Sequence, residues 1–245
     1  MVNNPIVVMY PDYCGESTRD GFPDLIRAHL PNAVIIPVFN GTTVSNLDSL
    51  VAESPTLNLD GVRSEQPGLA PALMQGYLRC LDRYRGHTVV RLDTAEHDVS
   101  YLSPLVEKAA ETRGLVVGDL SFGSETLKKD SLDGLMHLEL FPRLYNQFAG
   151  IPLSGAHGYH AISPEVLDKV YEGTLRIMKE VENNSQEKPT WGFDGAMVLS
   201  AVKQHVPVHV IHIPAKTFRD RPVDKVIEQY MRALHICAVA EQIFK

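Results

Sequence analysis

The chain has 245 residues, of which 44% are apolar and 22% charged, as expected for a soluble globular domain. Its net charge of −7 argues against nucleic acid as the main partner, since a phosphate backbone requires a basic surface. No apolar run approaches the ~18 residues of a membrane span, and the N-terminal residues lack the features of a signal peptide.

The three cysteines, Cys14, Cys80 and Cys237, are far apart and have no CxxC spacing. A disulfide framework or a zinc site is therefore not expected, and the reducing cytoplasm is the expected compartment.

Short apolar segments alternate with helical ones through the first 120 residues. The strand-like segments are 5–10, 33–39, 59–65, 87–93 and 115–120. Ser17 or Thr18 is expected to cap the first helix, Gly68 to open another, and Tyr101–Thr112 to form a third. This alternation predicts an α/β fold with a mostly parallel sheet and helices on both faces.

The second half contains longer helical segments. Leu132–Phe148 is predicted as one helix, 158–163 as a strand, and the segment after the Ser163 cap as a long helix that begins at Pro164. A helix over 193–204 and a strand over 206–213 follow. The last helix has an apolar stripe made of Val223, Ile227, Met231, Leu234 and Ala238.

No linker divides the chain, so one domain over 1–245 is expected, with halves 1–120 and 121–245. The final stripe allows two interpretations, packing within the chain or contact with a second copy in a homodimer.

Carboxylates follow two of the predicted strands. Asp12 and Glu16 lie beyond the first strand, and Asp93 closes the fourth, with Glu96 shortly after it. Ligands of open parallel sheets bind at such strand ends, and clustered carboxylates suit a divalent cation. The alternative is that Asp93 only caps the next helix. The sequence lacks GxxxxGK[ST], GxGxxG and GxSxG, which argues against P-loop, simple dinucleotide-binding and α/β-hydrolase sites.

The second half adds further candidate groups. Asp194 lies in the first turn of a helix, where the helix dipole is expected to lower its pKa; the alternative is a favourable helix-terminal charge with no further role. Trp191 is either a platform for a sugar ring or a hydrophobic staple. A small basic cluster follows the strand over 206–213 and consists of Lys216, Arg219 and Arg221. It either binds a phosphate or is an ordinary charged loop.

The histidines give weaker signals. His209 and His212 lie three apart on a strand, so they face opposite sides and cannot share a metal ion. His157 and His160 lie near a glycine-rich turn and could reach a ligand.

Several motifs in a fixed order carry a resemblance to a known family. They are GLAPALMQGYLRCL, VVRLDTAEHD, IPLSGAHGYHAISPEVLDKV, TWGFDGAMVLSAV and HIPAKTFRDRPVDKV. Together they resemble the GT-A glycosyltransferases, most closely a family 2-like group that contains mannosylglycerate synthase and the glucosyl- and mannosyl-3-phosphoglycerate synthases. The resemblance implies a GT-A fold, a sugar-nucleotide donor and a small acceptor such as a glycerate-type acid.

The resemblance also implies roles for individual residues. Asp194 and Arg219 correspond to catalytic positions. Contact with the nucleotide sugar is implied for Pro11, Tyr13, Glu16, Gly68, Asp93 and Lys216. Contact with the acceptor is implied for Leu153, Ser154, Gly155 and Trp191.

The chain departs from the family's pattern at three positions around one centre, two of which are metal ligands in the family. The second aspartate of the family's DxD motif is Ala95 here, the metal-binding histidine is Phe218, and the glutamate after the PLxG turn is Ala156. Either Asp93 and Glu96 (or His97) hold a magnesium or manganese ion in a shifted site, or transfer is metal-free, or catalysis is lost. The two leading hypotheses are therefore a glycosyltransferase and an inactive sugar-nucleotide-binding homologue. A nucleotidyltransferase is disfavoured. That class needs a glycine-rich basic loop after the first strand, and the segment there, PDYCGES, has no Lys or Arg.

Overall fold

A computed structural model describes residues 5–13, 15–40, 59–93, 98–122, 131–155, 158–185, 192–215 and 221–245. Its strands are β1 Ile6–Tyr13, β2 Val34–Asn40, β3 Val62–Arg63, β4 Thr88–Arg91, β5 Leu115–Ser121, β6 Tyr159–Ile162 and β7 Val208–Pro214. Its helices are α1 Glu16–Arg19, α2 Phe22–His29, α3 Leu69–Arg83, α4 Leu102–Thr112, α5 Leu132–Leu135, α6 Phe141–Ala149, α7 Pro164–Ser185, α8 Phe193–Lys203 and α9 Val223–Ile243.

The strands form one mixed sheet in the order β3-β2-β1-β4-β6-β5-β7. Every neighbouring pair is parallel except the two that involve β6, which runs antiparallel between β4 and β5. The predicted mostly parallel α/β sheet is therefore confirmed. The sheet takes strands from both halves of the chain, since β6 and β7 follow residue 121.

Both faces of the sheet are covered by helices, because the central strands are apolar on both sides. On one face, α2 and α4 pack over Val8, Val90 and Val116. The opposite face packs against α3, α6, α7, α8 and α9. Among the described residues, no helix is both long and apolar enough to cross a membrane.

Three local expectations were wrong. Strand β4 ends at Arg91, so Asp93 lies two residues beyond it. The predicted helix over 132–148 is interrupted by a π-helical turn at Met136–Leu140. The first helix is split into α1 and α2 by Gly21, which has a φ of 80°. Neither Ser17 nor Thr18 supplies the cap of α1.

Candidate functional site

The carboxyl ends of the parallel strands meet at one edge of the sheet. Arg91 ends β4 at this edge, and Asp93 follows with its side chain 36% exposed. Strand β6 runs in the opposite direction, so it begins at this edge, directly after Gly158. Helix α8 also begins here, because its Asp194 reaches Arg91. The edge therefore gathers residues from both halves of the chain.

A fully buried arginine joins the two candidate carboxylates. The Arg91 Nη2 atom lies 3.2 Å from Asp93 Oδ2 and 3.5 Å from Asp194 Oδ2. Arg91 Nη1 donates a hydrogen bond to the Gly158 carbonyl oxygen. A Cβ atom at Gly158 would overlap that nitrogen, so the guanidinium occupies space that only glycine leaves open.

The two neighbouring carboxylates stabilise the positive charge of the guanidinium. Burial alone disfavours the charge, but Asp194 and Asp93 favour it, and the pKa of Arg91 is raised overall. A buried charge without partners would cost several kcal/mol, so Arg91 depends on the two carboxylates. In turn, it fixes them at the same place on the sheet edge.

Burial sets the protonation of Asp194. It raises the pKa of Asp194 to about 6, although Arg91 acts to lower it, and the charge of Asp93 raises it further. The expectation that the helix dipole lowers this pKa was wrong, because loss of hydration outweighs the dipole. His160 lies behind Asp194, with Nδ1 3.5 Å from Oδ1.

Helix α3 fixes the start of α8. The Tyr77 ring stacks on Phe193 with centroids 5.5 Å apart and an interplanar angle of 23°. Gly68 precedes α3, as predicted. Its φ is 115°, and it donates its backbone N–H to Asn40 Oδ1 at 3.2 Å. Gly68 therefore connects the end of β2 to the helix that supports Asp194.

The end of β1 contains one buried and two exposed side chains. Asp12 is buried and accepts bonds from the N–H groups of Ser17 and Thr18 and from the Thr18 hydroxyl, at 3.0, 3.0 and 2.6 Å. Asp12 therefore caps α1 and is not available to a ligand. Tyr13 and Glu16 are exposed at this edge, and Pro11 is partly buried.

The PLSG turn, residues 152–155, is held by a buried aspartate near the end of β5. Asp119 Oδ1 accepts bonds from the Ser154 N–H at 3.0 Å and the Ser154 hydroxyl at 2.8 Å. Leu153 is buried in the core, and Gly155, with a φ of 83°, packs against the Phe141 ring. Burial raises the pKa of Asp119 to about 6, while the bonds from Ser154 act to lower it. The structure thus places the Ser154 side chain on Asp119.

Ser154→Ala is expected to destabilise the protein in a pH-dependent manner. A hydrogen bond to a carboxylate contributes about 1.5–3 kcal/mol, so the free energy of unfolding should fall by that order at pH 8. The loss should shrink at pH 5, where Asp119 is mostly protonated and accepts a weaker bond. Urea denaturation at both values measures this effect.

Ser131→Ala provides the control, because Ser131 accepts the Gly134 N–H at 3.0 Å as the cap of α5. Its loss of about 1 kcal/mol should be equal at the two pH values. A Ser154→Ala loss that does not change with pH would contradict the role given to Asp119.

Arg221 forms an ion pair with the buried Asp133. Its Nη2 lies 2.7 Å from Asp133 Oδ1, its backbone N–H donates to Asp133 Oδ2 at 2.8 Å, and its guanidinium also contacts His137 and Gln229. The expectation that Arg221 serves a phosphate is therefore not supported. On β7, His212 is exposed and lies 3.8 Å from Asp119.

The described residues alone do not fit a divalent metal ion. They include no group of three or more His, Cys, Asp or Glu side chains that could hold one. Asp93, the described member of the expected pair, shares its carboxylate with Arg91. Its expected companion, Glu96, lies outside the described residues.

Several candidate residues lie outside the described ranges. They are Trp191, Lys216, Arg219, Glu96, His97 and His157. Their predicted roles stay predictions.

The sequence reasoning missed Arg91, Gly158 and Asp119 as positioning residues. One signal was available for the arginine, since it is the only charged residue within the apolar strand segment VVRL. No local signal showed that Gly158 or Asp119 would receive a partner from a distant segment.

Comparison with known proteins gives matches only among solved structures. No protein-family model and no curated protein matches the chain. A crystal structure of glucosyl-3-phosphoglycerate synthase from Mycobacterium tuberculosis with Mn²⁺, uridine-diphosphate-glucose and phosphoglyceric acid matches with a TM-score of 0.58 and 17% identity, covering 96% of this chain and 80% of that one. A further structure of that synthase gives a TM-score of 0.57, 18% identity and coverage of 96% and 81%.

A third structure, described as a mycobacterial protein, gives a TM-score of 0.60 and 16% identity, covering 96% of this chain and 76% of that one. At such identities the likeness concerns the fold. This chain has the GT-A fold of the nucleotide-sugar glycosyltransferases.

Proposed function

We propose that this protein is a cytoplasmic glycosyltransferase that moves a hexose from a nucleotide-diphosphate sugar to a small acceptor such as a glycerate-type acid. One observation carries the proposal. Asp93 from the first half and Asp194 from the second are held by one buried guanidinium at the carboxyl edge of a GT-A sheet. In sheets of this type, ligands bind at that edge.

The structural neighbours support the choice of ligands. The structure of the mycobacterial synthase contains uridine-diphosphate-glucose and phosphoglyceric acid. We infer a similar pair for this chain, with Asp93, Tyr13 and Glu16 on the donor side and the PLSG turn on the acceptor side. The exposed parts of Asp93, Tyr13 and Glu16 lie on the edge where a nucleotide would lie.

Asp194 is the group we assign to the acceptor. With a pKa of about 6, its carboxylate is mostly ionised at pH 7 and above, so it can orient an acceptor hydroxyl and accept its proton. The charge that develops on the departing diphosphate needs cationic partners. Lys216 and Arg219 are the residues we assign to that task. A Mg²⁺ or Mn²⁺ ion would supply the same charge stabilisation if Glu96 contributes to its binding.

A transfer assay tests this proposal. The purified chain is incubated with UDP-glucose, GDP-mannose or related donors and with glycerate or 3-phosphoglycerate, in Mn²⁺ or in EDTA, and the released nucleoside diphosphate is measured. We expect release that requires both donor and acceptor, and a glycosylated acid detected by mass spectrometry. Absence of product with every pair, in both conditions, would reject the enzyme.

A second candidate function is binding without transfer. It is favoured by the departures from the family's pattern, since Ala95 and Phe218 stand where the resemblance implies two metal ligands and Ala156 where it implies a glutamate. A donor that binds tightly but gives no product with any acceptor would select this alternative.

A further inference from the structure

A buried histidine lies against the PLSG turn. His137 is 3% exposed and belongs to the π-helical turn between α5 and α6. Its ring lies close to Phe122 and Phe141, with centroids 5.3 and 5.2 Å away. Its Nδ1 atom lies 2.6 Å from the Ser154 carbonyl oxygen. Single π-helical turns within helices occur frequently at functional sites, and this one brings an imidazole to the acceptor side of the proposed site.

The neighbours of His137 determine which ring nitrogen carries the proton. Arg221 Nη2 contacts Nε2, and an arginine side chain has donors only, so Nε2 must accept. The ring is neutral at pH 7, because burial and the charge of Arg221 lower the pKa of His137 to about 4. The proton of the neutral ring is therefore on Nδ1, which donates a hydrogen bond to the Ser154 carbonyl oxygen.

Ser154 is held on two sides. Its carbonyl oxygen accepts the bond from His137, while its N–H and hydroxyl donate to Asp119 at 3.0 and 2.8 Å. All of its polar groups thus have partners inside the chain, and the residue is 7% exposed. Asp119 belongs to β5, whereas His137 belongs to the helical segment that follows that strand. The position of the turn therefore depends on two separate elements.

Arg221 holds the histidine in place. Its guanidinium contacts both His137 and Asp133, with Nη2 2.7 Å from Asp133 Oδ1. Asp133 is 3% exposed and also accepts the backbone N–H of Arg221 at 2.8 Å. Because a buried carboxylate requires a charged partner, Asp133 keeps the guanidinium beside the imidazole ring. A continuous series of contacts thus runs from Arg221, just before α9, to Ser154.

We propose that His137 is a positioning residue for the acceptor: held by Arg221, it fixes the PLSG turn in the place where the turn binds the acceptor acid. This inference rests on the proposed function, in which that turn forms the acceptor side. Both ring nitrogens of His137 are engaged by Arg221 and Ser154, so the residue acts through the turn and not on the acceptor itself. Its effect should appear in the use of the acceptor and not in the binding of the donor.

Two substitutions of matched shape separate the hydrogen bond from the packing. Leucine and asparagine have the same branching, but only the asparagine amide nitrogen can replace Nδ1 as a donor to Ser154. With His137→Leu, we expect kcat/KM for 3-phosphoglycerate to fall at least about tenfold, while the dissociation constant of the sugar nucleotide stays within about twofold. His137→Asn should recover most of that loss. Steady-state kinetics and calorimetric titration of the sugar nucleotide measure the two quantities.

His29→Leu is the control, because His29 is exposed at the end of α2, near the start of β2 and thus at the edge of the sheet opposite to the site. It should leave both quantities unchanged. A general loss of folded protein would lower the number of donor sites per chain, so calorimetry separates it from a change at the acceptor.

The outcomes distinguish this proposal from the proposed function. A wild type that neither binds nor transfers to any acceptor rejects the proposed function, and the acceptor role of His137 with it. If wild type transfers, the role of His137 alone is rejected when His137→Leu uses the acceptor as well as wild type, or when His137→Asn is as impaired as His137→Leu.

Nitrogen-15 NMR of the imidazole rings tests the hydrogen bonds without any ligand. The chain has ten histidines, and the signal that is missing from the spectrum of His137→Asn identifies His137. At pH 7 we expect this signal to show a protonated Nδ1 and an unprotonated Nε2. A signal of the opposite tautomer, or of a ring that exchanges between tautomers, would overturn the proposal whether or not the protein transfers a sugar.

Discussion

Asp194→Asn is expected to lower kcat of the proposed transfer by about 10²–10⁴-fold, the usual contribution of a positioned acid or base. Asparagine keeps the shape of the side chain but cannot accept the proton of the acceptor hydroxyl. Donor binding should stay close to wild type, because we assign the donor to Asp93. Steady-state kinetics together with calorimetric titration of the donor separate the two effects.

An exposed aspartate serves as the control for this substitution. Asp168, on α7, is 58% exposed and lies 3.9 Å from the Arg85 guanidinium. Asp168→Asn should leave both kcat and donor binding unchanged. An Asp194→Asn variant that binds the donor and transfers it at the wild-type rate would remove Asp194 from the mechanism.

The pKa of Asp194 also predicts a pH profile. The carboxylate must be ionised to accept a proton, and burial raises its pKa to about 6. The wild-type kcat/KM should therefore rise with pH through about 6 and level off above that value. The stability trend runs the opposite way. Because the folded state favours the protonated carboxyl, its ionisation between about pH 4 and pH 6 costs stability.

Arg91→Met is expected to lower the free energy of unfolding by about 3–5 kcal/mol, the cost of breaking a buried ion pair from one side. The substitution leaves Asp93 and Asp194 without the guanidinium that now lies 3.2 and 3.5 Å from them. Their ionised forms would then repel each other. Urea denaturation at pH 7.5 measures the loss.

Two further variants test this explanation. Arg83→Met removes an exposed guanidinium that lies 3.9 Å from Asp60, and should cost less than about 1 kcal/mol. Combining Arg91→Met with Asp194→Asn should cost less than the sum of the single changes, since the residual buried charge is removed. Strict additivity would show that Arg91 does not act through Asp194.

The layered fold could be predicted because strands and helices are indicated by short stretches of neighbouring residues. The strand segments around Val8, Val90 and Val116 are apolar runs bounded by turns, which is typical of strands covered on both faces. Helix α7 begins at Pro164 as its cap residues predict. The antiparallel direction of β6 could not be predicted in this way, because direction depends on which edges the neighbouring strands leave open.

The candidate site was predictable only in part, for the same reason. Asp93 and Asp194 were identified from their places after a strand and at a helix start, and the structure brings them to one guanidinium. The pKa of Asp194 was predicted in the wrong direction, because the dipole is visible in the sequence whereas burial is not. The bond between Ser154 and Asp119 joins residues 35 positions apart, and no local pattern predicts such a contact.

Calorimetric titration of a sugar nucleotide into wild type and Asp93→Asn tests the central claim most directly, namely that the edge around Asp93 binds a pyrophosphate-linked sugar. A series of UDP- and GDP-sugars is titrated with Mn²⁺ and again in EDTA. We expect saturable binding of at least one donor, with one site per chain and an affinity at least tenfold weaker in Asp93→Asn, about 1.4 kcal/mol. The claim is contradicted if no donor binds in either condition, or if Asp93→Asn binds as tightly as wild type.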